Sequence, residues 1–108
     1  MRTGLVYYKV TLAGLIYEKE SNYYFEYDKK YLKNKNAKAI SLTLPLSEEI
    51  YESKQVLFPF FDGLIPEGWL LNIATKNWKI NPRDRFGLLL TLCHDCIGCV
   101  SIIPKSDE

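Results

Sequence analysis

Tyr23, Phe25 and Tyr27 occupy every second position of one short run, with Tyr24 and Glu26 between them. Only an extended strand sends alternate side chains to one face, so this run requires a sheet with one covered side. Two runs before it, Leu5 to Val10 and about Leu12 to Glu18, are also strand-like and are separated by short polar or glycine-containing breaks. The first third of the chain is therefore expected to form a β-meander. Asp28 to Leu32 fits one helical turn, and the Lys/Asn stretch from Lys33 to Lys38 a solvated loop. Ile40, Leu42 and Leu44 alternate with Ser41 and Thr43, which predicts another strand, stopped by Pro45 for want of a ladder donor. Ser47 to Lys54 is acidic and is expected to be irregular. Val56 to Phe61 is apolar but broken by Pro59, which suits a short helical turn packed on the sheet.

The period changes in the second half. Pro66 suits a first helical position and Glu67 the positive end of a helix dipole, which predicts a helix from Pro66 to about Trp78. Leu70, Leu71, Ala74 and Trp78 share one side of it, and Trp69 falls away from that stripe. A different rotation of the helix would instead put Trp69 in the core. Asn81-Pro82-x-Asp84 offers a cap, a first-turn proline and a first-turn acid for a second helix, with Phe86, Leu89, Leu90 and Cys93 at i, i+3, i+4 and i+7. Gly87 costs about 1 kcal/mol inside a helix relative to Ala, which points to close packing there. Cys99 to Ile103 completes the pattern as a strand ended by Pro104. The fold expected is α+β: a small, mostly antiparallel sheet with two to three short helices. One domain spans residues 1–108, with its core over about 5–104 and a polar tail at 105–108.

A chain of 108 residues has room for one core. Its 47% hydrophobic and 25% charged residues are the ordinary balance of a globular protein, and 14% aromatic residues supply more amphipathic surface than so small a core easily hides. The net charge is +1 with Lys and Arg scattered among acids, which argues against direct DNA binding. No run approaches the ~18 to 20 apolar residues of a membrane span, and the start does not resemble a signal peptide, so a cytoplasmic location is expected. Cys93, Cys96 and Cys99 are odd in number and crowded together, which suits reduced thiols.

Chemistry is sought and mostly not found. His94 and the three cysteines supply four potential zinc ligands, but all come from seven consecutive positions, whereas structural zinc sites draw pairs from separate segments. A redox Cys-x-x-Cys belongs at a helix N-terminus, yet Cys93-His94-Asp95-Cys96 follows the end of a predicted helix. A single histidine, no nucleophile elbow and no phosphate-cradling glycine loop leave hydrolase and kinase chemistry without their parts. No catalytic residue, metal or cofactor is expected, and the chain is expected not to be an enzyme.

Pro59-Phe60-Phe61-Asp62-Gly63-Leu64-Ile65-Pro66-Glu67-Gly68 is followed by Arg85-Phe86-Gly87-Leu88-Leu89 and Asp95-Cys96-Ile97-Gly98-Cys99-Val100. Together these resemble the N-terminal subdomain of HipA-type toxin kinases, whose signature is a double aromatic, Asp, a small polar residue, two aliphatics and Pro-Glu-Gly. A later Asp-Cys-x-Gly turn in that family precedes the last strand. Ser41-Leu42-Thr43-Leu44-Pro45 also resembles a family strand. Departures are Gly63 where Asn is common, Cys99 where Ala is common, and an altered first turn around Thr11 to Gly14.

The resemblance implies structural roles for Phe60, Phe61, Gly68, Asp95, Cys96 and Gly98. In the family this subdomain runs on into a kinase domain, which is not found after Pro104, so the chain is most similar to the HipS branch, the stand-alone antitoxins of split HipBST systems. By that resemblance its direct partner is a separately encoded HipT-like serine/threonine kinase toxin, which it binds and neutralises. A HipB-like helix-turn-helix protein would join a ternary complex and carry any DNA contact. The residues expected at the docking face are Asp62, Ile65, Pro66, Glu67 and Trp69, with Trp69 as anchor because Trp is enriched at interface hot spots. The alternative is a stabilising accessory subunit that docks without inhibiting.

Overall fold

The computed structural model describes residues 2–65, 76, 81, 83–93 and 99–105. The predicted meander is present as β1 (Thr3–Tyr8), β2 (Thr11–Lys19) and β3 (Asn22–Tyr27). Two-residue turns join them. Glu20 and Ser21 both take positive φ, 52° and 67°, the geometry that matches the right-handed twist of the flanking strands. The first turn is Lys9-Val10, with Lys9 at φ 56°, so the break lies before Thr11 and Gly14 is inside β2. There Gly14 is required: a Cβ would stand 2.3 Å from the Glu26 carbonyl oxygen of the neighbouring strand.

After β3 come α1 (Lys29–Lys33), β4 (Tyr51–Lys54), α2 (Pro59–Asp62), α3 (Arg85–Leu92) and β5 (Val100–Pro104). The strands form one antiparallel sheet in the order β4-β3-β2-β1-β5, so the last strand returns to the free side of the first. Both edges are blunted. β4 is short, with exposed Glu52 and Lys54. On β5 the outward N–H of Ile102 is taken by the Cys93 carbonyl at 2.8 Å, and Pro104 has no N–H.

The Tyr23–Tyr27 run lies as expected, with Phe25 fully buried and Tyr27 buried beside it. Phe25 is the hub of the covered face: its ring centroid lies 4.9 Å from that of Tyr27, 5.5 Å from Phe61 and 6.5 Å from Tyr51. α3 lies over β1 and β5. Leu90 and Ile102 both crowd Gly4, where a Cβ would meet them at 2.8 and 2.9 Å.

Three expectations are corrected. Ile40 to Leu44 is not a strand but a tight turn closed by the Leu44 N–H on the Ser41 carbonyl at 3.1 Å. Ser41 Oγ accepts from the Thr43 N–H and pairs with the Thr43 hydroxyl, so side chains rather than a ladder satisfy this backbone. Ile40 and Leu44 point inward as their spacing suggested, but Leu42 is wholly exposed. Second, the stretch expected to be irregular contains β4, an edge strand whose half-buried positions are Tyr51 and Ser53, too polar to betray itself. Third, Asn81 does not cap α3: Asp84 does, accepting from the Gly87 N–H at 3.1 Å, while Asn81 closes a separate turn through the Arg83 N–H at 3.0 Å.

The helix expected over Pro66 to Trp78 lies outside the described residues except for Lys76, which is helical. Among the described residues no helix is long and apolar enough to cross a membrane.

Candidate docking surface

α2 begins at Pro59, which fixes its backbone angle where no intrahelical N–H is needed, and its four residues send the paired aromatics in different directions. Phe61 is fully buried, packed on Phe25 and edge-on to Phe58 and Phe60. Phe60 is half-buried. With Leu64, Tyr8, Ile40, Leu42, Val100 and Cys99 it lines an open, mainly apolar groove of about 440 Å³. Leu42, at the tip of its turn, stands 101% exposed on the rim, and Val10, at the tip of the first hairpin, is 93% exposed. Leu42 was assigned inward by its alternation and Val10 to the end of a strand, so neither exposure was readable before the turns were known.

The loop carrying Leu42 is fixed from below by tyrosine hydroxyls. Tyr27 OH donates to the Leu44 carbonyl and accepts from the Ile40 N–H at 3.1 Å. Tyr31 OH donates to the Lys38 carbonyl at 2.6 Å and accepts from its N–H at 3.2 Å. Burial pushes the Tyr27 phenol above its ordinary pKa, which keeps it protonated and able to donate.

Of the residues expected at the docking face, Asp62 is half-exposed at the end of α2 and accepts from Arg85 Nε at 2.6 Å. Ile65 is only 2% exposed and belongs to the core, held there by a turn after α2 in which its N–H donates to the Asp62 carbonyl at 3.2 Å. Pro66, Glu67, Gly68, Trp69, Asp95, Cys96 and Gly98 lie outside the described residues. Of the two described cysteines, Cys93 is buried and Cys99 exposed. Among the described residues no three His, Cys, Asp or Glu side chains are grouped to hold a metal.

A second polar assembly escaped sequence reading. Arg2 donates through both arms, to Glu18 at 3.0 Å and to Asp84 at 2.7 Å, with its guanidinium 5.3 Å from the Phe86 ring centroid. The hydrogen bond from Arg2 holds the Asp84 carboxyl below the usual carboxylate range, against partial burial and with help from the Gly87 N–H. Gly87 makes room for it: a Cβ there would lie 2.3 Å from Asp84 Oδ2 and 3.2 Å from Arg2 Nη1. The close packing inferred at Gly87 is therefore against a charged cluster that joins Arg2, just before β1, to β2 and the N-cap of α3.

The sequence from residue 4 to 103 matches the family described as HipA N-terminal domain. A protein of Haemophilus influenzae whose name assigns no function is 30% identical over 102 residues, covering 94% of this chain and 92% of that one. A candidate kinase of Sinorhizobium fredii, Y4mE, is 30% identical over 84 residues, 78% of this chain but 20% of the kinase. Among solved structures, an N-terminal domain of HipA toxin superimposes with a TM-score of 0.74 at 26% identity, covering 100% of this chain and 96% of that one. Sequence and fold agree across nearly the whole length, and the chain belongs to the HipA N-terminal domain family.

Proposed function

We propose that the chain is a non-catalytic antitoxin that binds and neutralises a separately encoded HipA-type serine/threonine kinase of the HipT kind. The observation that carries this reading is a difference in coverage: the same domain makes up a fifth of the kinase relative but 92% of the small Haemophilus protein. A unit that is built into a kinase in one setting and stands nearly alone in another has a natural partner in the rest of the kinase. The apolar groove beside Phe60 and the exposed Leu42 and Val10 support docking, since large hydrophobes at turn tips do nothing for this chain's own core. Trp69 remains the proposed anchor, with Pro66 and Glu67 beside it. A HipB-like helix-turn-helix protein would complete the complex and make any DNA contact, the net charge of +1 here giving little attraction to phosphate.

Purified chain and kinase, mixed and followed by size-exclusion chromatography and by phosphoryl transfer, test the proposal. A complex with suppressed transfer supports it. The fusion of this domain within the kinase relative favours a second reading, an accessory subunit that stabilises the kinase, and a complex with undiminished transfer would select that instead.

A further inference from the structure

In an antiparallel sheet with one face in water, the outward positions are ordinarily polar, because alternate residues face the core and the solvent. Here the margin of the sheet follows that rule and its centre breaks it. Between the buried positions Val6, Ile16, Phe25 and Ile102, the outward residues Ile103, Leu5 and Leu15 form one row across β5, β1 and β2, through the pairings Leu5↔Ile103 and Leu5↔Leu15. In the next row Tyr17 and Tyr24 are paired and stacked, with ring centroids 5.3 Å apart. Charged side chains stand where the rows run out, Glu26 beside Leu15 and Glu52 beside Tyr24. Ile103 is 42% exposed and the other four are half-buried, yet none of the five belongs to the core cluster. α2 and α3 cover the opposite face, where Phe61 meets Phe25 and Leu90 crowds Gly4.

We propose that this outer face of the sheet, centred on Leu5, Leu15 and Ile103, is where the HipA-type kinase docks. The assignment rests on the antitoxin reading and adds to it the surface that makes the contact. An apolar sheet face is ordinarily covered by a second layer of structure. In the kinase relative this domain accounts for 20% of the chain, so about four-fifths of that chain remains to supply such a layer. The family is that of an N-terminal domain and its match ends at residue 103, so in a fused arrangement the following chain sets out from Ile103, at the end of the apolar row. Where the domain is a separate protein, the same layer has to come from another molecule. An apolar centre with tyrosines and a charged margin has the anatomy of a protein–protein interface.

Leu15→Thr, Ile103→Thr and the double variant test the assignment. Threonine keeps the preference for a strand while removing apolar surface. Each free variant is expected to keep a thermal midpoint by circular dichroism close to the parent's, since neither side chain is part of the core. In isothermal titration of the purified HipA-type kinase, the double variant is expected to bind about ten-fold more weakly than the parent. Parent-like binding by a folded double variant overturns the assignment alone. A parent chain that binds no kinase brings down the antitoxin reading and the assignment with it. A midpoint that falls sharply in both single variants means that the chain itself covers this face, and also overturns the proposal. So does a parent dimer, seen by light scattering, that the double variant dissolves while kinase binding is unchanged, because the face then belongs to a second copy.

Discussion

Gly87 shows how one position serves two demands. In a helix interior Gly→Ala ordinarily gains about 1 kcal/mol, but here the new Cβ would sit 2.3 Å from Asp84 Oδ2. That carboxylate cannot simply swing away, because it caps α3 and receives Arg2. Overpacking of this kind costs about 1 to 3 kcal/mol, so Gly87→Ala is expected to destabilise by about 1 kcal/mol net in urea unfolding, against the direction of helix propensity. The same cluster makes stability depend on acid. Folding lowers the pKa of Asp84, so its contribution is fully present above the ordinary carboxylate pKa of about 4 and is lost as pH falls through the lower folded value. Asp84→Asn should flatten the decline of the thermal midpoint below pH 4, and a profile parallel to the parent's would contradict this account.

At the scale of elements, legibility followed the strength of the local pattern. β1 to β3 were readable from their strand-like runs and the short polar breaks between them, with the period-2 burial clearest at Phe25 and Tyr27 of β3, and β5 because an apolar run lies between Gly98 and Pro104. β4 was not, since an edge strand of Tyr, Glu, Ser and Lys buries too little to show a period. Ile40 to Leu44 misled in the opposite way: two inward residues in a turn share the spacing of a strand, and the Ser41 and Thr43 hydroxyls that close the turn leave no periodic trace. Of the candidate site, the Phe60-Phe61-Asp62 motif was visible from the start. The groove and the buried place of Ile65 depend on the tertiary fold, and the Arg2 cluster on pairings 16 and 82 residues apart, none of which a linear reading contains. The β2–β3 turn offers a test at this scale. Ser21 holds φ at 67° without being glycine, so Ser21→Gly is expected to stabilise by roughly 0.5 to 1 kcal/mol, read as a rise in thermal midpoint.

For the whole molecule, the sheet is closed by its last strand against its first, and α2 and α3 are joined by the Arg85–Asp62 ion pair. The family relation sets the chain in a HipA-type kinase context. Growth of cells expressing such a kinase, encoded in the same genome, with and without this chain, tests the central claim most directly. The account predicts that growth stops with the kinase alone and resumes when the chain is co-expressed. Growth that stays arrested with the chain abundantly present and bound to the kinase would contradict it.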